Sequence, residues 1–278
     1  MPLLIASLNS GSNGNCYYVG NQDEAVLIDA GISCRETEKR MLRIGLNICK
    51  VKAIFISHEH SDHICGVASL SKKFRIPVYI TRSTHSNCRL MLDKDLIRNF
   101  TAEQPVSIGK LQITGFTKCH DAADPHSFIV CSEKTTIGVL TDIGVACEEV
   151  VHHFKQCHAA FLEANYDDAM LTNGNYPYHL KKRISGRDGH LSNAAALRLF
   201  LEERAPWLSH LILSHISKNN NTPGIVQQLF ETNASGVRII VASRYEETAV
   251  FEIIGAGESV PRVPAFQIRP RLVQLKLF

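Results

Sequence analysis

Short apolar runs, broken by polar turns and by longer amphipathic stretches, set the rhythm of this chain. Residues 2–29 predict three short strands, with Gly11-Ser12-Asn13-Gly14-Asn15 turning between the first two. Ser33, with Glu36 three residues on, has the spacing of a capping box and opens a predicted helix. A strand over 52–56 follows, then helical patterns over 64–74 and 84–92 on either side of an extended segment at 77–80. Strands are predicted over 105–108, 111–118, 126–132 and 135–141. The second half predicts helix 146–156, strand 158–163, a loop-rich insert over 165–190, helix 192–204, strand 209–214, helix 223–232, and strands 237–241 and 247–253. Strands this apolar need cover on both faces, so the order predicts an α/β protein with sheet beneath helices. No low-complexity tract, long linker or repeat divides it, and 1–278 is expected to form one domain with a basic tail from about 258.

Several of the apolar runs end in the same way. Ala53-Ile54-Phe55-Ile56 leads into Ser-His-Glu-His-Ser-Asp-His, which places His58, His60, Asp62 and His63 within six residues. A solvated loop has no reason to follow a buried strand with that density of ligand-type side chains, whereas a transition-metal site needs it. Alternate residues of an extended segment project together, so His58 and His60 can grip one ion while Asp62 and His63, after the turn, reach a second. Val26-Leu27-Ile28 runs into Asp29, Gly138-Val139-Leu140-Thr141 into Asp142, and Leu211-Ile212-Leu213-Ser214 into His215. His120 closes the alternating segment that begins at Leu111. Alone, Asp29 or Asp142 would read as a turn former or helix cap. Together with the histidine cluster they read as functional residues collected at one sheet edge.

These residues resemble the metallo-β-lactamase superfamily, with His-Glu-His-Ser-Asp-His as its H-x-H-x-D-H motif and Asp29, His120, Asp142 and His215 following in the superfamily's order. The opening Ser-Leu-Asn-Ser-Gly-Ser-Asn-Gly-Asn-Cys-Tyr-Tyr-Val, the Cys119-His120-Asp121-Ala122 segment, the stretch 175–193 and Leu213-Ser214-His215-Ile216 are similar to its YycJ/WalJ branch. The resemblance covers about Leu3 to Glu252. It implies a four-layer αββα sandwich and metal-dependent exonuclease action on DNA from the 5′ end. It also implies that His58, His60 and His120 bind one divalent ion, that Asp62, His63 and His215 bind another, and that Asp142 bridges the two. Asp29 would then support the histidine loop from behind. Two departures are Tyr166, where the branch leads one to expect histidine, and His126, where a smaller or apolar residue is expected.

Two such ions would share a water and activate it as a hydroxide nucleophile, with Asp62 and Asp142 in the catalytic set. Imidazole-rich ligation favours zinc, while the mixture with carboxylate also accepts manganese or iron. His190, in Gly-His-Leu-Ser-Asn before an alanine-rich helix, can donate a proton to the leaving oxygen or help receive a phosphate, although a histidine near a helix start is commonly a cap. Lys182, Arg183 and Ser192 are the other expected substrate contacts. Ser10, Ser12 and Asn13 lie on a Gly-rich turn near the sheet edge, where Gly and Asn are accounted for by turn conformation alone, and His152 and His153 read as surface.

A net charge of +3 neither demands nor excludes nucleic acid, but Lys181, Lys182, Arg183 and Arg187 gather just before Gly189. Downstream of Glu258 the tail carries Arg262, Arg269, Arg271 and Lys276 and no acid, which reads as a solvated basic face. Nine cysteines without a C-x-x-C pair point to a reducing cytoplasm, with Cys34, Cys49, Cys131 and Cys157 as small buried hydrophobes. Cys65 and Cys119 neighbour ligand candidates but are left outside the metal shell. No apolar run approaches a bilayer span and the first residues read as a strand, so no membrane is expected. The partner expected is instead a single- or double-stranded DNA end. Two alternatives remain open: hydrolysis of a small phosphodiester, thioester or lactam on the same ions, and a non-catalytic protein that retains metal. An open two-metal site argues against the second.

Overall fold

The computed structural model describes residues 1–255, so the basic tail lies outside the described residues. Two seven-stranded sheets are built in succession. The first holds β1 (Leu3–Asn9), β2 (Cys16–Gly20), β3 (Ala25–Ile28), β4 (Val51–Phe55), β5 (Val78–Tyr79) and β6 (Ile97–Arg98). The second holds β7 (Val106–Ile108), β8 (Leu111–Thr117), β9 (His126–Ser132), β10 (Thr135–Leu140), β11 (Ala159–Glu163), β12 (His210–Ser214) and β13 (Arg238–Val241). Strand β14 (Phe251–Ile253) returns to pair with β1 at the edge of the first sheet. Each sheet starts antiparallel and becomes parallel, at β3/β4 in the first and at β10/β11 in the second.

Alternation along the strands explains the layering. In β3, Val26 and Ile28 face the second sheet, in a core that also holds Tyr17, Phe55, Phe128, Val139 and Phe161. Leu27 faces the other way, beside Met41, Val67 and Leu70 of the outer helices. On the far side, Leu140, Leu162 and Leu213 pack beneath Phe154, Phe200 and Phe230. Helix, sheet, sheet, helix is the expected αββα sandwich. Among the described residues no helix is long and apolar enough to cross a membrane.

Several expected boundaries move, each for a local reason. The helix expected over 64–74 is two pieces, Ser61–Ile64 and Val67–Phe74, because Gly66 packs against the chain at Ala30–Ile32 and its N–H bonds the Ala30 carbonyl at 2.8 Å. The helix expected over 84–92 is Arg82–Asn87, and the Asn87 amide donates to the Ser83 carbonyl in its last turn. The insert over 165–190 contains helices Asp168–Asn173 and Tyr178–Ile184, too short to show a periodic stripe. Cys49 is exposed rather than buried, and Cys34 and Cys131 are half-buried, while Cys157 is buried as expected. His153 is buried, bonded to Glu103 at 3.1 Å and stacked on Phe116, so the surface reading holds for His152 alone.

Phe161 is fully buried between the sheets, 4.9 Å from the ring of Tyr17. Phe161→Ala is expected to cost about 3–5 kcal/mol of stability, read from chemical denaturation, because the rigid sheets on either side cannot close the cavity. A cost below about 1 kcal/mol would mean that the sheets do not share one packed core.

Candidate metal centre

Strands β8, β10, β11 and β12 run in one direction, and their carboxyl ends share an edge with those of β3 and β4. Register levels them: Leu140 stands opposite Leu162, and Leu162 opposite Leu213. Asp142, Glu163 and His215 therefore emerge together. The first residue after β3, Asp29, and two beyond the ends of β10 and β12, Asp142 and His215, adopt left-handed backbone with φ of 61°, 55° and 55°. Such a conformation is costly for a non-glycine residue and turns each chain sharply at the sheet edge.

The histidine loop is pinned from behind. Asp29 is fully buried and accepts the Ser57 N–H at 2.8 Å and the Ser57 hydroxyl at 2.7 Å, while its other contact is His63 Nδ1 at 2.7 Å. Asn15 N–H bonds the Asp62 carbonyl at 2.7 Å, and a Cβ at Gly31 would overlap that same carbonyl. Only glycine permits this approach.

In front of these supports lies a cavity of about 270 Å³, walled in part by His60, Asp62, His120, Asp142, His190 and His215. Ligand-type atoms of His58, His60 and His120 lie within 4.8 Å of one another, and so do those of Asp62, His63 and His215. Asp142 falls between the sets. Its Oδ2 is 3.2 Å from His63 Nε2, and its Oδ1 is 3.9 Å from His120 Nε2 and 3.4 Å from His215 Nδ1. The donor set contains no cysteine.

Without a metal ion, the carboxylate charge in this cluster is balanced by the buried Lys118 and by protons on the imidazoles. Burial would push the His63 imidazole down, but Asp142, Asp29 and Asp62 outweigh it and hold the group at about 10. His215 is likewise raised, against its burial, by Asp142, Asp62 and Glu163. Burial of Asp142 is overcome by His215 and His63, which hold it well below the usual carboxylate range. Burial dominates at His120 and pulls it to about 4.

A divalent cation fits this arrangement on direct grounds. His120 Nε2 and His215 Nε2 are buried with no hydrogen-bond partner, and Asp142 Oδ2 has only the ion-pair contact with His63 Nε2 at 3.2 Å. Each orphaned atom of this kind costs about 1–3 kcal/mol. All three face the shared space. The opposite ring nitrogen of His120 donates to the Gly189 carbonyl at 3.0 Å, which leaves Nε2 as the free lone pair.

Several important residues escaped the sequence reading. Glu163 is fully buried and contacts His190 Nδ1 at 2.8 Å and His215 Nδ1 at 2.9 Å, and burial notwithstanding, those imidazoles hold it at about 2. It ends an apolar strand in a single acid, the signal that singled out Asp29 and Asp142. Lys118 is buried beside the cluster, its ammonium donating to the Thr141 carbonyl at 2.6 Å. The Ser10 hydroxyl accepts the His215 N–H at 2.7 Å and Ser12 lines the cavity, so this turn belongs to the site and is not explained by turn chemistry alone.

The expected substrate contacts divide. Arg183 lines the cavity and pairs with Asp121 at 2.6 Å. Lys182 does not line it, and its ammonium lies 5.4 Å from the centre of the Tyr178 ring. Ser192 is buried and its hydroxyl accepts the Ala195 N–H as a helix cap, which leaves it no face toward the cavity. Of the two departures, His126 is buried against Phe100 and bonds the Asp124 carbonyl, and Tyr166 is buried with its backbone bridged to Ser192. Neither lines the cavity.

Two mixed sheets between helices, with an H-x-H-x-D-H loop at their common edge, define a metal-dependent hydrolase. The chain belongs to the metallo-β-lactamase superfamily, in the branch of the YycJ and WalJ proteins. The superfamily pattern matches residues 10–89. The chain is 32% identical to the exodeoxyribonuclease YycJ of Bacillus anthracis, over 85% of this chain and 92% of that one. It is 30% identical to the exodeoxyribonuclease WalJ of Streptococcus pneumoniae, over 77% and 81%. Among solved structures, the metallo-β-lactamase fold protein YhfI of Bacillus subtilis superposes with a TM-score of 0.70 at 17% identity, covering 90% of this chain and 99% of that one.

Asp29→Ala removes an acceptor from three buried groups at once and takes from His63 the nearest of its carboxylate partners. The expected cost is about 3–5 kcal/mol, seen as a lowered melting temperature even without metal. An unchanged melting temperature would show that the histidine loop is held by other contacts.

Proposed function

We propose that the chain is a dinuclear exonuclease that removes nucleotides from DNA ends, beginning at the 5′ terminus. The observation that carries it is the convergence of two ligand triads on Asp142 beside a histidine oriented by a buried carboxylate. His58, His60 and His120 would hold one ion, Asp62, His63 and His215 the other, with Asp142 between them, and zinc or manganese suits the set. When bound, two divalent ions acidify a shared water and neutralise charge building on a phosphodiester. His190 lines the cavity with its Nδ1 held on Glu163, which leaves Nε2 as the atom that would donate a proton to the leaving oxygen. Arg183, at the cavity wall, can exchange Asp121 for a substrate phosphate. The two curated relatives, both named exodeoxyribonucleases, support DNA as the substrate. The shared inter-sheet core supports a single domain. Nine free cysteines support a reducing, cytoplasmic setting.

A small phosphodiester is the second reading, favoured by the modest 270 Å³ cavity and by the engagement of Lys182 and Arg183 within the protein. The two are separated by offering single- and double-stranded DNA, labelled at either end, beside a cyclic phosphodiester and a β-lactam. Mononucleotides or short products released from 5′ ends are expected. Efficient cleavage of the cyclic compound with DNA ends left intact would transfer the case to the second reading.

Elemental analysis of protein purified without chelator is expected to give two transition-metal ions per chain, and Asp142→Ala is expected to lower that number and abolish turnover. One ion or none in the unaltered chain would end the dinuclear reading. His190→Ala should keep both ions while hydrolysis falls by about 10²–10⁴-fold. Loss of metal from that variant would instead make His190 a ligand.

Metal uptake should also release protons. His63 is held at about 10 and His215 above its ordinary value, so at neutral pH both carry protons that a cation must displace. Below those values affinity should fall about tenfold per pH unit for each proton displaced. Calorimetry in buffers of different ionisation enthalpy measures the number released, and a value of zero would contradict the ligand assignment.

A further inference from the structure

A second cavity, of about 220 Å³, adjoins the first. Ser217 lines both, and Ser10, in the wall of the second, accepts the N–H of His215 in the wall of the first. The second cavity is floored by the segments that follow β12 and β13, so it opens at the same sheet edge as the metal centre. Its shape is fixed by three bonds. Ser10 N–H donates to the Ser243 carbonyl at 3.1 Å, the Asn13 amide to the Arg244 carbonyl at 2.9 Å, and Arg244 Nη2 to the Ile216 carbonyl at 2.6 Å.

Its lining has one sign of charge. Lys218 and Arg244 contribute cations and no carboxylate lines it, whereas Asp62, Asp121 and Asp142 line the first cavity. Lys218 is exposed and makes no ion pair among the described residues. Arg244 commits one amino group to Ile216, and a guanidinium has further donors to offer. Tyr245, at the rim, is 68% exposed. The basic helix on the other side is a poorer track. There Lys181 donates to the Thr172 carbonyl at 2.7 Å, Lys182 lies near the Tyr178 ring, and Arg183 pairs with Asp121.

We propose that this second cavity is the track for single-stranded DNA adjoining the bond being cut, with phosphates on Lys218 and Arg244 and a base stacked on Tyr245. The proposal rests on the exonuclease reading. A cationic groove with an exposed aromatic ring is how single strands are held without regard to sequence, since every base offers a flat face and every linkage a negative charge. The shared Ser217 wall makes the track continuous with the catalytic cavity. A small phosphodiester would leave it empty.

The test is equilibrium binding of fluorescent phosphorothioate strands, which keep their charge and resist cleavage, to the metal-loaded full chain. Strands of two and twelve nucleotides are compared across salt concentrations for the unaltered chain, Lys218→Ala, Tyr245→Ala and Tyr245→Phe. The twelve-nucleotide strand is expected to bind the unaltered chain more tightly than the dinucleotide. Lys218→Ala and Tyr245→Ala should each weaken its binding about tenfold, while Tyr245→Phe, which keeps the ring, should restore it. Lys218→Ala should also reduce the log–log salt slope by roughly 0.7, the loss of one single-strand phosphate contact. Unchanged binding in both alanine variants, with end-labelled DNA still degraded by the unaltered chain, would overturn the track and leave the exonuclease reading standing. Binding through the track without cleavage of any DNA end would do the reverse, and a chain that neither binds nor cuts DNA would lose both.

Discussion

Four buried or half-buried carboxylates, Asp29, Asp62, Asp142 and Glu163, share one small volume with the imidazoles of His58, His63, His120 and His215, and charge balance there governs the rest of the design. Carboxylates packed so closely cannot all stay ionised unless positive charge is supplied among them. In the metal-free chain it comes from protons on His63 and His215 and from the buried ammonium of Lys118. Protons satisfy the charge but not the geometry, since His120 Nε2 and His215 Nε2 still lack hydrogen-bond partners and Asp142 Oδ2 has only His63. A cation that accepts several lone pairs at once satisfies both, which is the physical reason for reading the cluster as a metal centre and not as an ion-pair network.

Holding such a cluster in place demands a rigid frame, and the frame is the inter-sheet core. Register between β10, β11 and β12 brings Asp142, Glu163 and His215 to one level, while the Asp29–Ser57–His63 bonds tie the loop from the opposite sheet to its own strand end. Three left-handed turns at Asp29, Asp142 and His215 then point side chains inward where an ordinary strand continuation would carry them past. Packing around Phe55, Phe128 and Phe161 offsets the strain of those turns and the desolvation of the charges.

Much of this was legible in the sequence because it depends on local order. An apolar run ending in one ligand-type residue announces a strand and its functional end together, and that rule located Asp29, Asp142 and His215, while the density of the loop after β4 located His58, His60, Asp62 and His63. It would have found Glu163 too, which ends β11 in the same manner. Less visible were properties set by partners far along the chain. Nothing near His153 reveals that Phe116 covers it, and nothing near Arg183 that Asp121 pairs with it. Burial of Lys118 was equally hidden, because a lysine in an alternating strand gives no sign of which face is closed. The helices at Asp168–Asn173 and Tyr178–Ile184 fall below the length at which periodicity speaks.

Counting basic residues along the chain therefore misjudges where an anionic strand would lie. The densest run, from Lys181 to Arg183, is largely occupied by the protein's own groups, and its charge is already partly neutralised by Asp121. Lys218 and Arg244, separated in sequence and unremarkable there, are brought together by adjacent parallel strands at a groove free of acids. Uncompensated charge, not the number of charges, determines the local potential that a phosphate meets. The sheet edge thus carries two neighbouring regions of different electrostatic character. One is crowded with carboxylates that call for cations, the other is cationic, and Ser217 forms part of the wall of both.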